Sequence, residues 1–143
     1  MATMKQAERG RVLIGKLEHG ADLLEEITAI CREADIRLGR VEAIGAIQKA
    51  RLAYYDQQSK TYEFFDLDEP LEILNLTGNV SIKDGQPMLH AHVTLSNEKG
   101  ESFGGHLAPG TIIFAGECIV EELLGPEYVR GHDETTGLPL WEI

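Results

Sequence analysis

From Arg40 to Leu123 the chain reads as one β-patterned run after another, and no other feature constrains its fold as strongly. Ahead of those runs lie one short strand signal, Arg11–Leu17 (RVLIGKL), and one helix signal. In the helix signal Asp22 is placed to cap and Glu25 follows three residues on. Leu23, Leu24, Ile27, Ile30, Cys31 and Ala34 then recur at helical spacing, so a helix is expected from about Asp22 to Ala34. VEAIGAI and ARLAYYD follow as two strands, with Gly45 marking a bulge. TYEFFDL, LEILNLTGNVSI, PMLHAHVTLS, ESFGGHL and TIIFAGECIVEEL complete the series. Lys83-Asp84-Gly85 and Glu98-Lys99-Gly100 both end in glycine, as a type I turn closed by a left-handed residue requires. The order predicts an α+β fold, a mainly antiparallel sheet with one principal helix.

At 143 residues the chain is expected to form a single domain, 1–143. Its ordered core is expected over about 8–125, followed by a polar C-terminal tail, 126–143. Thirteen Lys and Arg against 24 Asp and Glu leave a net charge of -11, which argues against a broad phosphate-binding face. Cys31 and Cys118 lie in apolar-patterned segments without CxxC spacing and read as reduced core residues. No run approaches a membrane span, and the first residues are too polar for a signal peptide. The expected location is cytoplasmic.

Three of the five histidines, His90, His92 and His106, are candidate metal ligands. Side chains alternate along a strand, so His90 and His92 share a face. If the loop is Glu98-Lys99-Gly100, Asn97 faces Glu101, and counting back along both strands sets His92 opposite His106. A two- or four-residue loop would turn His106 to the other face, and a bulge at Gly104-Gly105 would also shift it. Three neutral imidazoles on one hairpin suit a divalent metal with a fourth position open, the pattern of open zinc sites. The same spacing also suits two partly buried histidines bonded to backbone, with His106 unrelated.

The segment LEILNLTGNVSIKDGQPMLHAHVTLSNEKGESFGGHLAPGTI resembles the PPC domain, the plant and prokaryote conserved domain. The matching features are Glu72-Ile73-Leu74, the Gly78 strand and the turn Asp84-Gly85-Gln86-Pro87. They continue through H-x-H-x-x-L-S at His90–Ser96 and G-G-H-L at Gly104–Leu107. The resemblance implies a homotrimer holding zinc with these three histidines, and a fold similar to that of acetolactate decarboxylase, a zinc enzyme. The family also carries a DNA-binding label through plant members with AT-hooks. This sequence has no Arg-Gly-Arg core flanked by basic residues. The expected function is a zinc-binding homotrimer acting on a small oxygenated metabolite. The alternative is a DNA-binding regulator with a structural zinc.

Glu117, in phase with Ile113, Ala115 and Ile119, is the one carboxylate nominated as a catalytic partner, against a solvent-facing edge residue. Glu72 is expected in a structural ion pair, at a subunit boundary, as readily as in catalysis. His19 and His132 fall in polar loops and take no role. Tyr54, Tyr55, Tyr62, Phe64 and Phe65 read as cross-strand packing, and without basic neighbours a base-stacking platform is disfavoured. LEILNLTGNVSI and TIIFAGECIVEEL carry apolar residues on both faces, which one helix cannot cover. A closed cyclic assembly would cover the rest.

Overall fold

A computed structural model describes residues 2–143. Strand β1 (Glu8–Leu17) leads into helix α1 (Leu23–Glu33), and six strands follow. These are β2 (Gly39–Asp56), β3 (Thr61–Leu67), β4 (Leu71–Lys83), β5 (Gln86–Ser96), β6 (Ser102–Leu107) and β7 (Ile112–Leu124). A terminal hairpin, β8 (Arg130–His132) and β9 (Pro139–Trp141), completes the chain. The result is α+β and mostly antiparallel, with one helix among the described residues.

The helix forms where the sequence marks it. Asp22 Oδ1 accepts from the backbone N–H groups of Leu24 and Glu25, filling two donors that the first turn cannot satisfy itself. Its other oxygen, Oδ2, accepts from Gly110 N–H at 2.6 Å and ties the helix start to the loop before β7. Leu23, Ile27 and Cys31 are completely buried and join one core with Val41, Leu52, Leu76, Leu95 and Ile113.

The two strands expected over 41–56 are one. β2 runs unbroken for 18 residues because its neighbours change along its length rather than the strand itself stopping. Its first half lies between β4 and β7, and its second half pairs β3 and β6. Gly45 marks the expected irregularity: the β4 register shifts between Ala43 and Gly45, at φ +147. A Cβ there would meet the Ala115 carbonyl at 2.2 Å, so only glycine fits. Since β6 returns to β2, the pairings β2–β4–β5–β6–β2 form a closed ring. The sheet thus curls into a small barrel at one end and stays open at the other.

One turn, one glycine pair and the tail differ from expectation in detail. Lys83 pairs directly with Gln86, leaving a two-residue loop in which Asp84 and Gly85 both have positive φ. That is the type I′ requirement, favoured because its twist matches the flanking strands. Gly104-Gly105 makes no bulge, since the β5–β6 register is continuous. Gly105 instead leaves room for β2: a Cβ there would lie 3.0 Å from the Ala53 carbonyl. Residues 126–143 are no free polar tail. Tyr128 is buried and edge-on to Trp141 at 5.0 Å, and Trp141 Nε1 donates to Ser81 Oγ. These two aromatic anchors dock the hairpin on β4.

Candidate metal centre

The Glu98-Lys99-Gly100 loop sets the geometry of the site. Gly100 takes φ +77 and donates to the Asn97 carbonyl, while Asn97 N–H donates to the Glu101 carbonyl. Asn97 Oδ1 also accepts from Lys99 and Glu101, holding the three-residue loop. The register that follows places His92 opposite His106. Asn79 of β4 lies across from His90, and Ala53 of β2 lies across from His106. His106 therefore sits at the barrel seam, paired to strands on both sides.

All three imidazoles converge. Their ring centroids are 5.1–5.6 Å apart, and one potential ligand nitrogen from each lies within 4.8 Å of the others. His90 and His106 are half-buried, while His92 is exposed at the mouth. Burial, assisted by the Arg130 charge and the neighbouring rings, pushes His90 down to about 4. Burial and then His92 and Arg130 push His106 down to about 4 as well. Both are neutral at pH 7 and able to offer a lone pair. His106 Nδ1 is buried with no hydrogen-bond partner. A buried nitrogen without a partner costs roughly 1–3 kcal/mol. A divalent cation is the chemistry this donor set fits, since three imidazole nitrogens so close together can hold one and leave coordination open.

Further residues complete the surroundings. Tyr62 lies 4.8 Å from the His106 ring and 5.0 Å from Tyr55, so this part of the aromatic cluster packs and also walls the site. Arg130 was not a candidate from sequence. Its Nη2 donates to Asn79 Oδ1 at 2.7 Å and reaches within 3.5 Å of His90 Nδ1. The available signal was the β-prone Tyr128-Val129-Arg130 run with Gly137 and Trp141 beyond it, a hairpin pattern read as tail.

Glu117 is not part of the site. It is exposed, pairing Lys16 and Ile44 in the backbone register, nine residues back along β2 from Ala53. Phe114 has no partner between Ile113 and Ala115, and this bulge reverses the phase so that Gly116, Cys118 and Val120 face inward instead. Glu72 is exposed and has no ion pair among the described residues. His19 bonds the Phe114 carbonyl and His132 lies near Glu134, both away from the cluster. Cys31 and Cys118 are buried free thiols that burial pushes up to about 11. No helix among the described residues is long and apolar enough to cross a membrane.

Comparison with known proteins places this geometry in a family. A metal-containing protein from Archaeoglobus fulgidus is 42% identical and superposes with a TM-score of 0.93, covering 98% of this chain and 99% of that one. A candidate DNA-binding protein from Bacteroides thetaiotaomicron is 27% identical with a TM-score of 0.85, over 96% and 98% of the two chains. The bifunctional protein GlmU of a Synechococcus species is 33% identical over 129 residues, 89% of this chain. The chain spans about a fifth of the length of such curated relatives. Acetolactate decarboxylase from Bacillus subtilis shares the fold alone, with 13% identity and a TM-score of 0.57 over 82% of this chain and 55% of that one. The Plants and Prokaryotes Conserved domain model matches residues 4–124, histidine hairpin included, and the chain belongs to that family.

Proposed function

We propose that the protein is a zinc-binding homotrimer whose metal site handles a small oxygenated metabolite in the cytoplasm. The convergence of three imidazoles, with His106 Nδ1 buried and unpartnered, carries this reading. The metal-containing Archaeoglobus relative supports it. His90, His92 and His106 would hold the ion. Bound there, zinc would supply Lewis acidity toward an oxygen-bearing ligand. The chain's part is to keep two of the ligands neutral by burial, to fix all three on one hairpin, and to wall the site with Tyr62. Protein purified without chelator should contain close to one zinc per chain by elemental analysis. His92→Ala should lose it; full zinc content in that variant overturns the site.

The trimer is supported by a face that nothing among the described residues covers. Ile14, Ile44 and Ile119 lie on the outer side of the open end, exposed by 78%, 56% and 43%. Light scattering with size exclusion should give about three times 15.8 kDa; a monodisperse monomer sinks the assembly.

The Bacteroides relative's name favours a second reading, DNA binding with a structural zinc. Charge opposes it here. The Arg9 and Arg11 side chains are paired with Glu121 and Glu122, and the net charge is -11. The expected result is no duplex footprint at physiological salt. A footprint that survives there would favour the regulator.

A further inference from the structure

We propose that the subunits join head to tail, the Arg51–Phe64 patch at the closed end of one chain seating in the Ile14–Ile44–Ile119 groove at the open end of the next. This rests on the homotrimer reading above and adds which two surfaces meet.

Symmetry requires a second surface. A third of a turn never returns a patch to itself, so every contact in a ring of three joins two unlike patches. The groove therefore needs a different region of the same chain to fill it. It has a volume of about 610 Å³, within the roughly 300–1,000 Å³ of binding pockets. Three isoleucines give it an apolar floor, and Lys16 and Glu117 lie beside Ile44 in one cross-strand row.

The closed end presents a matching projection. Phe64 is 53% exposed, and the Arg51 guanidinium lies over its ring, 5.1 Å from the centroid. Its strand β3 pairs with β2 alone, so the patch stands at a margin of the sheet. A guanidinium stacked on an aromatic face is held in place and largely apolar, a combination that suits the centre of an interface. Arg51 follows Ile44 by seven residues, with core-facing Ile47 and Ala50 between them. Both patches thus lie on the outward face of β2, about 23 Å apart at roughly 3.3 Å per residue. One chain cannot bring them together; a neighbour can.

Charge matches as well. Arg51 lies across from Asp66 in the β2–β3 register, and Lys16 lies across from Glu117 in β1–β7. Neither couple closes into an ion pair among the described residues, whereas Arg9, Arg11, Arg37 and Arg40 each hold a glutamate. The projection and the groove thus each carry one unpaired positive and one unpaired negative charge. Docking sets Arg51 against Glu117 and Asp66 against Lys16, and no like charges face each other.

The test follows particle mass over a dilution series of the full chain by light scattering with size exclusion. Wild type should give about three times 15.8 kDa. Arg51→Glu sets two carboxylates against each other, and Glu117→Arg sets two guanidinium groups together. Each should raise the concentration at which the trimer dissociates at least tenfold. The double variant exchanges the two charges and should return to within threefold of wild type. Phe64→Asp should act most strongly, giving a mass near 15.8 kDa with zinc content unchanged. If Phe64→Asp does not fold, the charge exchange decides. Single reversals that dissociate like wild type, or a double variant no tighter than either single, overturn the pairing. A monomeric wild type refutes the homotrimer and this inference with it, whereas a trimeric wild type whose variants fail the test refutes only the choice of surfaces.

Discussion

The two halves of β2 run through different surroundings. Its second half pairs β3 and β6 where the sheet closes, and Leu52 and Ala53 there are buried beside the histidines. Its first half crosses the open sheet between β4 and β7, where Ile44 is exposed in a shallow groove with Ile14, Ile119 and Glu117. Both stretches alternate and both pair on two edges, yet only at the closed end do imidazoles from separate strands converge. Closure gives converging geometry, while an open, exposed apolar face suits another subunit.

The largest expected effect separates the halves by packing. Leu52→Ala, at a completely buried position opposite Leu107, should cost about 2–5 kcal/mol by urea denaturation. Ile44→Ala should cost the isolated chain about 0.5 kcal/mol or less, as an exposed position does. Similar costs would break the distinction between the two ends.

Acid should act on the closed end next. His90 and His106 stand near 4 in the folded chain against an ordinary 6.5, so the unfolded chain binds more protons between those values. Stability of metal-free protein is therefore full above about 6.5 and falls as pH drops toward about 4. Urea midpoints at pH 7 and 4.5 should show this, and His90→Gln should flatten the difference. Metal should be lost in the same direction, since protonated imidazole cannot ligate.

The open end should respond in assembly instead. Ile119→Asp should reduce the particle mass toward 15.8 kDa while zinc content stays. Unchanged mass would assign the interface to another face. Smallest of all, Glu117→Gln should leave zinc content intact and shift stability by no more than about 0.5 kcal/mol. A loss of metal there would join the two ends after all.

Much of the site was legible because its determinants are local. Gly100 with Asn97 specifies a three-residue loop, the loop sets the register, and the register brings His92 opposite His106. Asp22 and the spacing of Leu23, Ile27 and Cys31 likewise specify the helix within a dozen residues. Such signals act between near neighbours, where turn chemistry and side-chain period decide the outcome.

What tertiary structure alone decided involves partners far apart in sequence. The bulge at Phe114 that turns Glu117 outward is set in the pairing of β2 with β7, where the register shifts between Ala46 and Ile47. The closure that seats His106 depends on β6 reaching Ala53, with glycine at 105 to permit it. Arg130 reaches His90 from forty positions away because Tyr128 and Trp141 dock the last hairpin onto β4. Period and turn chemistry set how each segment folds; which segments then meet depends on the surfaces they bury together, and those surfaces exist only in the assembled chain.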